Sequence, residues 1–334
     1  MAPSSDDLAL AWASLGPDDG SGEGWRSIAI SPAGSTLVHA GRRYPGGAES
    51  VLAQFSVRSI PQGTKWPEGG GFTVEPVALG DDRVWIALTR RDTASLELFA
   101  AMARDVGAAL AQCPSNNEPK AFATLIGRVR AWQEFMRKGG QPLGAEAEIG
   151  LFGELCMLLR LLDEGVEPAV ACAAWKGPLN GLRDFELGTG GIEVKSTVST
   201  TGFPARVGSL AQLDDTERQP LFVAAYRLRQ TQAGRTLAGA VQAARDAMAS
   251  DAEAQRLLAD RLIASGYRDV HAQQYVRTFV PAQFRVLCVG SGFPRLTPNS
   301  VPPGVTRATY DIDIDRVTVE AVDLPTALRD MKAI

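Results

Sequence analysis

Only six lysines occur in the 334 residues, so every acid-x-lysine triplet can be weighed. There are three: Glu118-Pro-Lys120, Glu193-Val-Lys195 and Asp330-Met-Lys332. The first holds a proline in a polar loop, where a central strand is disfavoured. The third lies in a helix-like stretch, where residues two apart point to different faces. Only the second sits in a strand pattern, GIEVKSTV. In a strand, residues i and i+2 share a face, so Glu193 and Lys195 project together. The stretch before it, Leu182-Arg-Asp-Phe-Glu-Leu187, alternates as well, and Gly188-Thr-Gly-Gly191 can return the chain antiparallel. A hairpin then brings Asp184 beside Glu193 and Lys195. Two neighbouring carboxylates repel unless a cation lies between them. Mg²⁺, which takes hard oxygens and keeps several waters, suits that place. A lysine beside it can orient an attacking water, which makes the set a device for phosphodiester hydrolysis.

A fourth acid comes from the segment 144–162, whose apolar residues almost encircle it as a helix. Glu154 stands there among Leu151, Leu155 and Leu158 and needs a partner: a metal, its water, or Lys195. Glu148 is the weaker candidate, since acids are ordinarily favourable near a helix start. Glu186 shares the face of Asp184 and reads as a solvated acid.

With those residues in place, the chain resembles bacterial PD-(D/E)XK proteins whose genes accompany restriction-modification-type defence genes. The likeness rests on Ile149-Gly-Leu-Phe-Gly-Glu-Leu155, on Trp175 and Gly177-Pro178, and on Arg183-Asp-Phe-Glu-Leu187. It continues through Glu193-Val-Lys-Ser-Thr197, Ser209-Leu-Ala-Gln-Leu213, Gly292-Phe-Pro-Arg295 and Tyr310. The resemblance implies an α/β (α+β) fold: a restriction-endonuclease-like core with a central mixed sheet flanked by helices. It implies Glu154 as the helix acid, Asp184 and Glu193 as metal ligands and Lys195 as the catalytic lysine. Gln212 matches a glutamine that follows the third core strand. The proline of the motif's name is absent, since Arg183 precedes Asp184. The expected function is Mg²⁺-dependent hydrolysis of DNA, with Mn²⁺ able to substitute, in restriction or anti-phage defence. The Val194 backbone carbonyl would complete the metal's ligands, and Glu154 would bind a second metal or orient Lys195. Two other readings stay open: a non-catalytic DNA-binding or scaffolding subunit of a defence complex, and a nuclease acting on RNA. Expected partners are DNA, a helicase-like ATPase and a DNA methyltransferase, with a homodimer as one expected assembly.

The elements that must position these groups divide at residue 91. Residues 1–91 read as a β-rich accessory region after a short helix, with strand patterns at 25–30, 35–39, 50–57, 72–78 and 84–89. Gly69-Gly-Gly71 lacks the G-K-[ST] ending of a phosphate loop and reads as a turn. Residues 92–334 form the nuclease-like region, with a catalytic core at about 144–230 and a C-terminal part at 236–334. Helices are expected at 92–112, capped from Asp92 or Thr93, and at 120–138, ended by Gly139-Gly140. The second presents Arg128, Arg130, Arg137 and Lys138 on one face, which reads as a solvated face. A short helix at 210–215, a long one across 236–265 and one from Pro325 complete the set. Strands are expected at 182–187, 192–198, 203–207, 220–228, 282–290 and 305–314. The alternating acids of Tyr310–Asp315 read as the solvent face of a strand.

Composition bounds the rest. A hydrophobic fraction of 45% supports a core without staples. A net charge of −4 argues against coating nucleic acid non-specifically, so any contact must come from a local basic patch. Cys113, Cys156, Cys172 and Cys288 form no C-x-x-C pair, and His39 and His271 stand apart, which excludes a zinc cluster. So few histidines also speak against a Ser-His-Asp or Cys-His hydrolase. No apolar run approaches the roughly 18 residues of a membrane span. The start, MAPSSDDL, lacks a basic segment followed by an apolar one, so a cytoplasmic protein is expected.

Overall fold

In a computed structural model, residues 5–16, 22–30, 36–79, 83–114, 116–137 and 141–334 are described. The start MAPS, most of the loop at 16–24, the first residue of the strand expected at 35–39, and Lys138 with Gly139-Gly140 lie outside them. The chain forms two compact units, divided between Gln141 and Pro142.

The first unit is an antiparallel sheet with helices on one face. It contains α1 (Ser5–Ser14), β1 (Gly24–Ala29), β2 (Val38–Tyr44), β3 (Ala48–Phe55), β4 (Phe72–Val77), β5 (Val84–Arg90), α2 (Leu96–Ala111) and α3 (Glu118–Arg137). The strand order is β1-β2-β3-β5-β4. Phe99, Met102 and Val106 of α2 and Phe122, Leu125, Val129 and Trp132 of α3 share one core with Phe55, Phe72, Ile86 and Leu88. The boundary expected at residue 91 is therefore corrected to 141. Both amphipathic helices bury their apolar stripes on this sheet and belong to its layer pair. Two local expectations change too. Ser95, not Asp92 or Thr93, caps α2 by accepting from the Leu98 amide. Arg128 is buried beside Asp105 and does not belong to a solvated basic face. Gly69 and Phe72 exchange backbone bonds of 3.1 and 3.4 Å, so the triple glycine is a turn.

The second unit carries the acid-x-lysine hairpin. Its elements are α4 (Ala145–Asp163), α5 (Pro168–Ala174), β6 (Phe185–Leu187), β7 (Gly190–Thr197), β8 (Pro204–Val207), β9 (Leu221–Thr236), α6 (Leu237–Ala247), α7 (Ala252–Ala264), β10 (Thr278–Cys288), β11 (Tyr310–Asp313), β12 (Ala321–Val322) and α8 (Leu324–Asp330). The main sheet has the order β12-β10-β9-β7-β6. It is mixed: β7 runs parallel to β9, while β6 and β10 pair antiparallel. Helices cover one face only, packing Leu151, Leu155 and Leu158 against Ile192, Val194, Phe222 and Ala224. The other face is covered by the β8–β11 ribbon and its loops, through Phe203, Ala205, Val207, Leu213 and Ile312 over Val223 and Ala225. The long helix expected at 236–265 is two helices: Asp251 accepts from the Glu253 and Ala254 amides and starts α7 anew. Residues 210–213 form turns, and no helix forms across 210–215. Asp311 and Asp315 are exposed, as a solvent face requires, while Asp313 also accepts from the Phe203 amide and Asp315 pairs with Arg227 and Arg285. All four cysteines are free; burial pushes the thiols of Cys156 and Cys172 up to about 12, which leaves them inert. Among the described residues no helix is long and apolar enough to cross a membrane.

One close approach sets the distance between α4 and β7. A Cβ on Gly153 would stand 1.8 Å from Ser196 Oγ and 3.0 Å from its Cβ. Glycine at 153 thus lets the helix that carries Glu154 lie directly on the strand that carries Glu193. Gly153→Ala is expected to lower stability by about 1–3 kcal/mol through overpacking, although alanine favours an exposed helix by about 1 kcal/mol. The loss should shrink in a Ser196→Ala background. Chemical denaturation of the wild type, the two single variants and the double variant checks this, and an unchanged Gly153→Ala protein would contradict it.

Candidate active site

The hairpin turns on Gly188 and Thr189, with Gly188 at φ +51°. Pairing runs from Leu187 opposite Gly190 to Phe185 opposite Ile192, and there β6 ends. Its continuation would set Asp184 opposite Glu193. The edge of β7 therefore opens at Glu193, and the Val194 amide faces that gap. Asp184 fills it: its Oδ2 accepts from the Val194 N–H at 2.7 Å. A strand residue's N–H and C=O share one edge, so the Val194 carbonyl faces the same opening.

The segment before the hairpin fixes Asp184 from behind. Its carbonyl accepts from the Lys176 and Gly177 amides at 2.7 and 3.1 Å. Trp175 is fully buried and stacked on Phe185, with centroids 6.1 Å apart and planes 9° from parallel. Its Nε1 donates to Glu154 Oε2 at 2.6 Å. Gly177 then lets two carboxylates meet: a Cβ there would stand 2.5 Å from Asp184 Oδ1 and 3.0 Å from Glu154 Oε2. Trp175 and Gly177 carried no assigned role in the sequence reading. The signal was there, a tryptophan closely followed by Gly-Pro, but nothing local said which acid they serve.

Glu193 and Lys195 share a face, as the strand period requires, and form an ion pair of 2.8 Å. The same Glu193 Oε1 also accepts from Gln212 Nε2, while Gln212 Oε1 takes the Gly208 amide at 2.7 Å. Gln212 therefore joins the Glu193–Lys195 pair. Glu148 does not: Arg277 Nε donates to its Oε2 at 2.9 Å. Glu148 instead forms an ion pair with Arg277, which ties the start of α4 to the residue just before β10. Glu186 lies 4.0 Å from Arg218, apart from the other acids.

Burial holds all three acids in the protonated direction, and carboxylate repulsion adds to it at Glu154 and Asp184. Glu154 is raised to about 7 by burial, against the pull of Trp175. Asp184 is raised by burial and by the charges of Glu193 and Glu154. Glu193 is raised by burial despite Lys195. Among the described residues no three His, Cys, Asp or Glu side chains are grouped to hold a metal as they stand. One oxygen of Glu193 is taken by Lys195 and Gln212. The donor chemistry nonetheless fits a hard divalent cation. Glu154, Asp184 and Glu193 act electrostatically on one another, and their carboxylates and the Val194 carbonyl offer hard oxygens.

The raised Glu154 makes a signed prediction. A folded protein that binds a proton its unfolded chain releases loses stability as pH rises. For Glu154 the loss runs from its ordinary 4.5 to about 7. Glu154→Gln keeps an acceptor for Trp175 without the charge. Its melting temperature, relative to the metal-free wild type, is expected to climb between pH 5 and pH 7.5 (roughly that window). A pH-independent difference would contradict the charge repulsion.

No curated protein and no solved structure matches the chain. A family profile does, over residues 8–315, and its description reads "Putative PD-(D/E)XK family member" (DUF4420). The mixed sheet and its helical layer are those of the restriction-endonuclease-like fold, and the chain belongs to the DUF4420 family of PD-(D/E)XK proteins.

Proposed function

We propose that this protein is a Mg²⁺-dependent nuclease that hydrolyses phosphodiesters in DNA, with Mn²⁺ able to replace Mg²⁺. The observation that carries the reading is the pairing of Asp184 with the Val194 amide beside the Glu193–Lys195 ion pair. It sets two acids, a carbonyl and a lysine around one open strand edge. Asp184, Glu193 and the Val194 carbonyl would hold the cation, which would supply Lewis acidity toward a phosphate oxygen and the attacking water.

The chain's own groups do the remaining work. Lys195 carries three donors on a flexible stem. Released from Glu193, it can hold the water or a phosphate oxygen in line. Gln212 stays on Glu193 and keeps that carboxylate oriented. Glu154, anchored by Trp175, adds negative charge beside Asp184 and would bind a second cation or orient Lys195. A place in restriction or anti-phage defence, with a helicase-like ATPase and a methyltransferase as partners, suits a net charge of −4, which leaves long-range attraction of DNA to other subunits.

Plasmid cleavage in Mg²⁺ or Mn²⁺ tests the reading. Asp184→Ala and Lys195→Ala are each expected to lower the rate by about 100-fold or more. Equal cleavage by wild type and both variants would overturn the assignment. The closed Glu193–Lys195 pair favours one alternative, a subunit that binds without cutting. Metal-independent DNA binding with no cleavage, alone or with partners, would support it.

A further inference from the structure

Arg183 stands where the family motif is named for proline, and its surroundings give it work. Gly191, Glu193 and Lys195 project from one face of β7. A Cβ on Gly191 would lie 3.2 Å from Arg183 Cγ. The arginine stem therefore crosses the strand through the gap that glycine leaves, one place before Glu193 on that face. Arg183 is 5% exposed. Its Nη2 donates to the Asp214 carbonyl and its Nη1 to the Leu182 carbonyl, the second at 2.9 Å. Its charge acts on Glu193 and Asp214.

Asp214 closes the turns that present Gln212. The Gln212 amide donates to the Ser209 carbonyl at 3.3 Å, and the Asp214 amide to the Ala211 carbonyl at 3.2 Å. Arg183 thus grips the backbone two residues beyond Gln212 while running alongside the carboxylate that Gln212 holds. A second arginine grips the same segment from the C-terminal side: Arg295 binds the Leu213 carbonyl at 2.7 Å and Asp215 at 2.9 Å. Only Arg183 combines that grip with a charge beside Glu193. A guanidinium does not deprotonate in a protein, so this charge stays when a lysine moves.

We propose that Arg183 is a positioning residue: it clamps the 208–214 segment so that Gln212 reaches Glu193, and it remains as the fixed counter-charge of Glu193 when Lys195 turns to substrate. The second half rests on the nuclease reading; the clamp does not.

The test pairs an activity-free readout with kinetics on Arg183→Met, Arg183→Lys and Gly191→Ala in the full chain. Amide hydrogen exchange is followed at Gly208, Gln212 and Asp214, with α4 as the internal reference. Arg183→Met is expected to speed exchange at those amides by about 10-fold and leave α4 unchanged. In plasmid cleavage it should lower kcat by about 100-fold with KM within about threefold, the pattern of a misplaced group. Arg183→Lys, which keeps the charge and loses the fork, should recover part of kcat. Gly191→Ala displaces the arginine stem without removing its charge, and shows the same pattern if Arg183→Met does not fold. Exchange at wild-type rates in the variants would overturn the clamp whatever the cleavage result. Faster exchange with wild-type kcat would overturn the positioning role. A wild type that does not cleave would overturn the nuclease reading alone, and the exchange rates would still decide the clamp.

Discussion

The second unit is organised around repulsion. Glu154, Asp184 and Glu193 are held largely out of water, where burial raises the cost of ionising each and Glu193 adds repulsion on the other two. No fold gathers such groups for stability alone, since unpaired charge away from water costs several kcal/mol or is neutralised. Much of the surrounding architecture offsets that cost. Trp175 donates to Glu154, the Val194 amide to Asp184, and Lys195 and Gln212 to Glu193. Two donors come from β7 and the others from Trp175 and Gln212 in separate segments, so the site holds only while the sheet, α4 and two loops keep their places.

The sheet makes this possible by ending a strand early. β6 pairs with β7 over three residues and then departs, which exposes the β7 edge where Glu193, Val194 and Lys195 follow. An open edge presents unpaired backbone groups. Here one of them is bound by Asp184, and its neighbouring carbonyl faces the same opening. Two glycines supply the remaining closeness. Gly153 seats the helix on the strand, and Gly177 admits two carboxylates side by side. Side chains at either place would separate the acids that the chemistry needs together.

The local part of this was legible in the sequence. A period of two put Glu193 and Lys195 on one face, a glycine-rich turn returned the chain toward Asp184, and an acid on an apolar helix had to find a partner. These inferences need only short stretches of chain. The misreadings share the opposite character. Glu148 looked like a site acid because its partner, Arg277, lies far downstream, just before β10. The helices at 96–111 and 118–137 showed apolar stripes, but a stripe does not say which sheet it covers, and both went to the first unit. Arg183 read as a departure from a motif, because its meaning depends on a missing side chain at Gly191 and on a carbonyl at Asp214.

The account turns on whether the acids gather a cation when one is offered. Crystals soaked in Mn²⁺, with its anomalous scattering, address that directly. The expected result is a Mn²⁺ peak bounded by Asp184, Glu193 and the Val194 carbonyl, with Lys195 turned away from Glu193 and Gln212 still on it. A saturated crystal with no peak at that strand edge and the Glu193–Lys195 pair unchanged would contradict it.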